Sequence, residues 1–243
     1  MIKNCFLFFL GYMLALLSFS KGYSQEKFYS WYDEQTGIEN SNLFKGIEYI
    51  ETHRVINELD QFFGSRDFRE ATITYNGQTF YNVPIKYNIY KDVVIVNPQY
   101  NQKSSIFQLV DNRVQEFTIN EHQFIYLNAL NNPKISGFFE ILADENKLKI
   151  YKKHKMKMKE LRDRQVVYHE FEKAKAAYYF EFQNEVFELE NKRNLYGFFP
   201  DLKNEIRDFY RNNRSIRQDN SDNFMKNLAT KINSIISNTK FKE

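Results

Sequence analysis

Histidine is the side chain best suited to acid–base chemistry and metal binding near neutral pH, and the sequence contains four histidines. None of them forms the His-Glu-x-x-His spacing of a helical zinc site. His169-Glu170 begins like that motif, but Lys173 stands where the second histidine is required. We therefore predict surface or turn histidines, with a metal site assembled from distant residues as the alternative. The four positions are His53, His122, His154 and His169.

Motifs for nucleophilic catalysis and phosphate binding are also missing. No Gly-x-Ser-x-Gly stretch marks a hydrolase serine, and the 8 glycines form no phosphate-binding loop. The 31 carboxylates cannot be paired from sequence alone. We assign no catalytic residue, metal ligand or cofactor, and we favour a non-enzymatic protein. A hydrolase stays as an alternative that requires a cleft with two carboxylates or a histidine–carboxylate pair.

One basic run could bind an anion. In an extended strand, Lys155, Lys157 and Lys159 would line one face, and Met156 and Met158 the other. One interpretation is a strand that contacts lipid headgroups, lipopolysaccharide or cell-wall polymer. The other is a solvated hairpin or edge strand that its lysines protect from aggregation. The candidate anion-contacting residues are Lys149, Lys152, Lys153, Lys155, Lys157 and Lys159.

The first 24 residues have the features of a secretory signal peptide. Lys3 precedes an apolar run from Cys5 to Phe19, and a small-polar stretch ends at Ser24. The run is shorter than the ~20 apolar residues that span a bilayer. We predict cleavage between Ser24 and Gln25, with an uncleaved anchor as the alternative, and a location in the periplasm or cell envelope, or secretion.

Cleavage would change the charge and the cysteine content. Lys3 and Lys21 would be lost, so the net charge falls from +3 to +1, and Cys5, the single cysteine, would leave with them. A near-neutral exported chain is not typical of nucleic-acid binders, and no disulfide or thiol chemistry is expected. No second run of membrane-spanning length follows. The 24 phenylalanines and 17 tyrosines favour a sheet with an aromatic core.

Residues 71–190 show the spacing of antiparallel strands. Asn76-Gly77 separates two β-prone runs, which is the strongest short-range signal for a hairpin. Ile85, Tyr87 and Ile89 alternate with polar residues, and Pro84 is expected at a strand end. Strands are predicted near 72–75, 78–81, 85–89, 93–96, 105–110, 114–119, 122–127, 137–142, 147–151, 177–182 and 185–189.

The ends of the chain differ from this β core. Residues 25–68 are predicted to form an irregular arm with a first strand over 43–50, and residues 156–177 are compatible with either a helix or strands. Two amphipathic helices are expected over 200–238, because apolar residues there recur at helical spacing. We predict one domain over 25–243 that is mainly β (all-β or α+β): an antiparallel meander, sandwich or half-barrel with the two helices packed on it.

The order of several stretches resembles a group of uncharacterised exported β-rich proteins common in Bacteroidota, and the resemblance covers nearly the whole chain after residue 24. It implies an exported single-domain protein but carries no function and no catalytic residues. The stretches are 46–49, 71–81, 83–92, 114–117, 137–142, 178–180 and 199–213.

Three functions are therefore open. The preferred one is a non-enzymatic envelope protein that binds another envelope protein or has a structural role. The second is a binder of a lipid, a glycan or another apolar or anionic envelope ligand, with aromatic residues lining a cavity. The third is a hydrolase of envelope polymers.

Overall fold

The computed structural model describes residues 42–239, except residues 101, 102, 131 and 146. The predicted signal peptide 1–24 and residues 25–41 of the arm lie outside this range. The described chain is mainly β with helices at its C-terminal end, as the sequence predicted.

Fifteen described strands form three antiparallel sheets. The strands are β1 (Ile47–Glu48), β2 (Arg69–Tyr75), β3 (Gln78–Asn88), β4 (Val93–Val96), β5 (Gln99–Tyr100), β6 (Lys103–Ser104), β7 (Phe107–Gln108), β8 (Val114–Ile119), β9 (His122–Asn128), β10 (Ser136–Asp144), β11 (Lys149–Lys153), β12 (Met156–Asp163), β13 (Val166–Lys173), β14 (Ala177–Phe182) and β15 (Glu185–Glu188).

The largest sheet has eleven strands in the order β1-β7-β4-β3-β2-β8-β9-β10-β11-β14-β15. Strands β2, β3 and β4 follow one another, and β8 then returns to lie beside β2, which is a Greek-key arrangement. The simple meander was therefore wrong for this part of the sheet. A long connection over residues 97–113 carries the chain across, and of its described strands only β7 joins the large sheet.

The predicted hairpin at Asn76-Gly77 is confirmed. Both residues have positive φ, 52° and 79°, which a type I′ turn requires. The next strand is longer than predicted, since β3 continues to Asn88. Pro84 lies inside β3 rather than at a strand end, beside a bulge where Asn82 has φ 54°. A bulge tolerates proline because the regular hydrogen-bond ladder is already interrupted there.

Two predicted strands are much shorter in the structure. The strand over 43–50 is a 3₁₀ helix, Asn42–Lys45, followed by the two-residue β1. The strand over 105–110 contains only β7, which pairs with β4 and β1 and not with β8. Asp111–Arg113 is a short 3₁₀ helix, so it redirects the chain and does not close a hairpin.

Residues 156–177, for which the sequence allowed a helix or strands, form strands. Strands β12 and β13 make a separate two-stranded hairpin, with Arg164 at positive φ in its turn. Neither strand pairs with the eleven-stranded sheet.

The predicted C-terminal helices are confirmed, together with two shorter ones. The α-helices are α1 (Lys192–Tyr196), α2 (Lys203–Asn212), α3 (Arg214–Asp219) and α4 (Ser221–Thr239). Pro200 opens a 3₁₀ turn before α2, where its missing N–H costs little. Apolar side chains of α2 and α4 pack with Leu142, Ile150 and Phe180 from one face of the sheet.

A second, aromatic cluster lies on the other half of the large sheet. It gathers side chains from β2, β3, β4, β8, β9 and β10, including Tyr87, Phe117, Phe124 and Phe138. The rings of Phe117 and Phe124 stack with their centroids 4.8 Å apart. The aromatic richness of the sequence therefore builds a core here. None of the described helices is both long and apolar enough to cross a membrane.

Candidate functional site

A cleft of about 620 Å³ opens between the eleven-stranded sheet, the β12–β13 hairpin and the segment before β2. We call it the histidine cleft, because two of its lining residues are His122 and His154. The other lining residues used below are Glu58, Asp60, Phe62, Phe63, Arg66, Ile89, Lys152, Lys155, Met156 and Lys173.

Strand register places a row of side chains on the sheet face beside this cleft. Phe124 on β9 stands opposite Glu140 on β10, and Glu140 stands opposite Lys152 on β11. His122 lies two residues before Phe124 and therefore shares its face. His154 follows the end of β11 by one residue and lies two residues after Lys152. Residues 18 and 14 positions away are thus brought to Glu140.

Glu140 holds both histidines through its two carboxylate oxygens. Nδ1 of His122 lies 2.5 Å from Oε1, and Nε2 of His154 lies 2.6 Å from Oε2. Only 5% of Glu140 is exposed, whereas the side chain of His122 is 47% exposed. Each ring donates one N–H to the carboxylate, so the other ring nitrogen is left for a partner in the cleft.

These contacts keep the carboxylate ionised. Burial alone would raise the pKa of Glu140, but the hydrogen bonds and positive charge of His154 and His122 lower that pKa to about 2. A permanent negative charge therefore faces two imidazoles. This is how a carboxylate fixes the tautomer of a histidine and stabilises its protonated form in acid–base and metal sites.

Phe63 packs against both rings. Its centroid lies 5.1 Å from that of His122 and 5.1 Å from that of His154, both edge-on. Phe63 also contacts Phe124 edge-on at 5.0 Å. The histidines are thus held from one side by Glu140 and from another by an aromatic side chain anchored on the core.

The segment that carries Phe63 is tied to both sheets. On the hairpin side, the side chain of Asn57 donates to the carbonyl of Phe171 at 2.7 Å and accepts from its N–H at 3.1 Å. On the other side, the N–H of Phe63 donates to the carbonyl of Tyr87 at 2.8 Å. Beneath this segment, the buried Asn88 donates from Nδ2 to Oε1 of the buried Gln61 at 3.0 Å. This wall of the cleft is therefore fixed at both ends.

The cations around the cleft fall into two groups. Lys152 pairs with Asp222 of α4 at 2.5 Å, and Arg66 pairs with Asp60 at 3.5 Å. Lys155 and Lys173 are exposed and form no ion pair with any residue that the structure describes. Two ammonium groups at the cleft are therefore available to an anion.

The six lysines predicted from the sequence are spread over three surroundings. Lys149 lies 3.3 Å from Asp144, Lys152 pairs with Asp222, and Lys153 lies inside the molecule. Lys155 faces the cleft with Lys152. On β12 the exposed Lys157 and Lys159 stand opposite Glu172 and Glu170 of β13. These positions do not form one anion-binding strand face, and anion contact by any of them stays a prediction.

Lys153 belongs to a second, closed polar site. Its ammonium lies 2.6 Å from Oδ2 of Asp92 and donates to the carbonyl of Phe138 at 3.0 Å. The hydroxyl of Tyr87 donates to Asp92 at 2.7 Å. Burial lowers the pKa of Lys153 although Asp92 opposes the shift. Gly137, at φ +105°, makes room for this pair, because a Cβ there would overlap Oδ2 of Asp92.

The remaining histidines form another contact. The rings of His53 and His169 meet edge-on at 4.8 Å, and Nδ1 of His53 lies 3.0 Å from Oε1 of Gln61. Burial and the nearby Lys91 lower the pKa of His53. Among the described residues, no group of three or more His, Cys, Asp or Glu side chains is arranged to hold a metal ion.

The roles of His122, Glu140 and His154 were not predicted from the sequence. Their separations match no motif. His122 is exposed and His154 lies in the connection between β11 and β12, which agrees with the prediction of surface or turn histidines, but that prediction did not include their contacts with Glu140. The available signal was the two predicted strands over 122–127 and 137–142, but their register was unknown. A scan against protein-family models found no match. Searches of curated proteins and of solved structures found none either.

Proposed function

We propose that the protein is exported and that its histidine cleft binds an anionic ligand with an apolar portion, such as an acyl chain that carries a phosphate or carboxylate group. Export is supported by the signal-peptide pattern of residues 1–24. The observation that carries the binding proposal is one cleft in which two ammonium groups without an ion pair to any described residue, and two oriented histidines, lie beside apolar and aromatic side chains.

The apolar part of the ligand would contact the apolar side chains that line the cleft. Phe62, Phe63, Ile89 and Met156 all line the cleft. A volume of about 620 Å³ lies within the range of small-molecule sites, which combine a mostly apolar lining with a few placed polar groups. Methionine and aromatic side chains adapt well to such ligands.

The anionic part would contact Lys155, Lys173 and the histidines. Neither lysine has to break an ion pair with a described residue to receive a ligand. Charge-assisted hydrogen bonds are roughly twice as strong as neutral ones. These polar groups therefore favour an anion over a neutral headgroup.

Isothermal titration calorimetry with dodecyl phosphate, below its micelle concentration, tests the proposal. We expect micromolar binding of dodecyl phosphate and at least tenfold weaker binding of dodecyl maltoside, which has the same chain and a neutral headgroup. Equal affinity for the two probes would remove the charge argument. No binding of either would contradict the proposed function.

A pair of double variants locates the site. Lys155→Gln/Lys173→Gln is expected to weaken dodecyl phosphate binding about tenfold, since each exposed charged contact contributes roughly 0.5–1 kcal/mol. The matched variant Lys157→Gln/Lys159→Gln removes the same charge from β12, away from the cleft, and is expected to change the affinity less than twofold. The reverse result would place the site on the exposed lysines of β12, as the sequence-based prediction of an anion-contacting strand expects.

A hydrolase is the second candidate function. The specific observation is the histidine–carboxylate pair in a concave cleft, which the hydrolase hypothesis required. Release of soluble fragments from purified cell-wall polymer by the wild-type chain, and its loss in Glu140→Gln, would support this function. No release above the variant's background would count against it. Binding to another envelope protein stays a prediction, for which a tagged pull-down is the direct test.

A further inference from the structure

We infer that the anionic end of the ligand is a phosphate monoester, bound by the two free ring nitrogens of His122 and His154, and that its binding takes up protons on these rings. The inference rests on the proposed function, because it specifies the headgroup chemistry and the pH dependence of the same cleft.

The geometry identifies which nitrogens are free. His122 uses Nδ1 and His154 uses Nε2 to reach Glu140, so Nε2 of His122 and Nδ1 of His154 remain. Neither of these atoms has a hydrogen-bond partner among the described residues. Glu140 is buried and each of its oxygens accepts from one histidine, so a ligand in the cleft would contact the free ring nitrogens and not the carboxylate.

Proton uptake follows from the chemistry of imidazole. A neutral ring that donates its one N–H to Glu140 presents a lone pair at its other nitrogen. A lone pair repels the oxygen of an anion, whereas a protonated nitrogen donates to that oxygen. An anion therefore binds better when the rings are protonated, and by linkage its binding draws protons onto them. The ionised Glu140 compensates one of the two positive charges thus created.

Each element around the cleft carries charged groups. Glu58, Asp60 and Arg66 lie on the segment before β2, with Asp60 and Arg66 paired. Lys152 of β11 is neutralised by Asp222 of α4. The remaining groups are Lys155 and Lys173, which form no ion pair with any described residue. A bound anion would offset the repulsion between these ammonium groups and protonated rings.

The number of donors favours phosphate over carboxylate. The cleft offers two ring nitrogens and two ammonium groups that lack an ion pair with any described residue. A phosphate monoester presents three strong acceptor oxygens and close to two negative charges near pH 7, whereas a carboxylate presents two oxygens and one charge. A phosphate monoester can therefore use more of these donors than a carboxylate can.

The test measures affinity for dodecyl phosphate from pH 5.5 to pH 8.0, beside inorganic phosphate and dodecanoate. We expect the affinity for dodecyl phosphate to fall at least tenfold from pH 6.0 to pH 8.0. Ionisation of the ligand gives the opposite trend, because its dianion becomes more abundant as pH rises. An affinity that falls with rising pH is therefore due to loss of protons from the histidine rings and not to ionisation of the ligand.

The variant His122→Asn/His154→Gln supplies the control. Asparagine places an amide nitrogen near the position of Nδ1 and glutamine near that of Nε2, so both contacts to Glu140 can persist without titration. We expect this variant to lose the fall in affinity with pH. In the wild type, we expect the ring signals in nuclear magnetic resonance spectra to move towards the protonated form when dodecyl phosphate saturates the cleft.

The possible outcomes separate the inference from the proposed function. Binding with an affinity that is flat or rises with pH, or rings that stay neutral in the complex, overturns this inference and leaves the proposed function standing. Dodecanoate that binds as well as dodecyl phosphate overturns the phosphate class. Inorganic phosphate that binds as tightly as dodecyl phosphate supports the headgroup inference but contradicts the proposal that the ligand has an apolar portion. No binding of any probe at any pH overturns both.

Discussion

Two carboxylates, the half-buried Asp92 in the turn between β3 and β4 and the buried Glu140 on β10, contact consecutive residues of the same basic run. Asp92 receives Lys153, and Glu140 receives His154, the next residue along the chain. The first pair is enclosed by Tyr87, Phe138 and the Cα of Gly137. The second opens into the histidine cleft. The two partners leave the end of β11 in different directions, so one basic side chain is enclosed and the other is presented to a ligand.

The Lys153–Asp92 pair and the histidine cleft differ in how many nitrogens the basic side chain has. The ammonium of Lys153 and the hydroxyl of Tyr87 both donate hydrogen bonds to the carboxylate of Asp92, and the ammonium also donates to the carbonyl of Phe138. Around Glu140, each histidine has two nitrogens and uses only one of them for the carboxylate. Histidine can therefore be held rigidly and still face a ligand, whereas the single ammonium of a buried lysine stays with its carboxylate.

Gly137→Ala is expected to have the largest effect, because it acts on the closed site. The new Cβ would overlap Oδ2 of Asp92 and lie 2.6 Å from Nζ of Lys153, at a φ of +105°. Strain of about 1–3 kcal/mol and disruption of the half-buried Lys153–Asp92 pair together predict a decrease of about 3 kcal/mol in the free energy of unfolding. Urea denaturation measures it.

Gly77→Ala is the matched control for this change. Gly77 also has positive φ, +79°, but no atom lies within 4 Å of the position that a Cβ would occupy there. We expect this variant to lose only about 1 kcal/mol, from backbone strain alone. If the two alanine variants lost the same stability, the close approach at Gly137 would have no energetic role.

Lys153→Met tests the closed pair without changing the backbone. Methionine keeps the apolar stem but leaves Asp92 without its ammonium partner, and we expect a loss of about 3 kcal/mol. Lys152→Met, one residue earlier, removes the pair with Asp222, whose side chain is 37% exposed against 27% for Asp92, and it should cost less than Lys153→Met. Thermal denaturation of both variants at one pH gives the comparison, and a larger loss for Lys152→Met would reverse it.

Glu140→Gln is expected to lower the free energy of unfolding by about 2 kcal/mol at pH 7. The folded pKa of about 2 lies below the ordinary 4.5, so ionised Glu140 contributes stability above pH 4.5 that is lost as pH falls towards 2. A shift of this size corresponds to about 3 kcal/mol, and the amide retains part of the hydrogen bonding.

The pH dependence separates Glu140 from an ordinary surface carboxylate. The stability difference between wild type and Glu140→Gln should shrink as pH falls from about 4.5 towards 2. Glu116→Gln, on the exposed face of β8, should change stability by less than about 0.5 kcal/mol at every pH. A difference for Glu140→Gln that stays constant with pH would show that its charge is not what stabilises the fold.

Much of the secondary structure was predictable because its causes are local. The Asn76-Gly77 turn, the buried run of β4 and the apolar stripe of α4 each depend on a few neighbouring residues. The errors lie where distant pairing decides. Residues 43–50 and 105–110 have β-prone composition, but only two residues in each stretch pair with another strand. Strand β8 returns to β2 across a long connection that sequence patterns do not reveal.

The amino-acid sequence was enough to establish that the chain is mainly β, that its C-terminal end is helical and that its core is aromatic, because alternation, helical spacing and composition express local preference and burial. Folding in three dimensions was needed to bring Glu140 to His122 and His154, and Lys153 to Asp92 instead. Those contacts depend on strand register across separations of 14 to 61 residues, and a shift of one residue would turn each side chain to the other face.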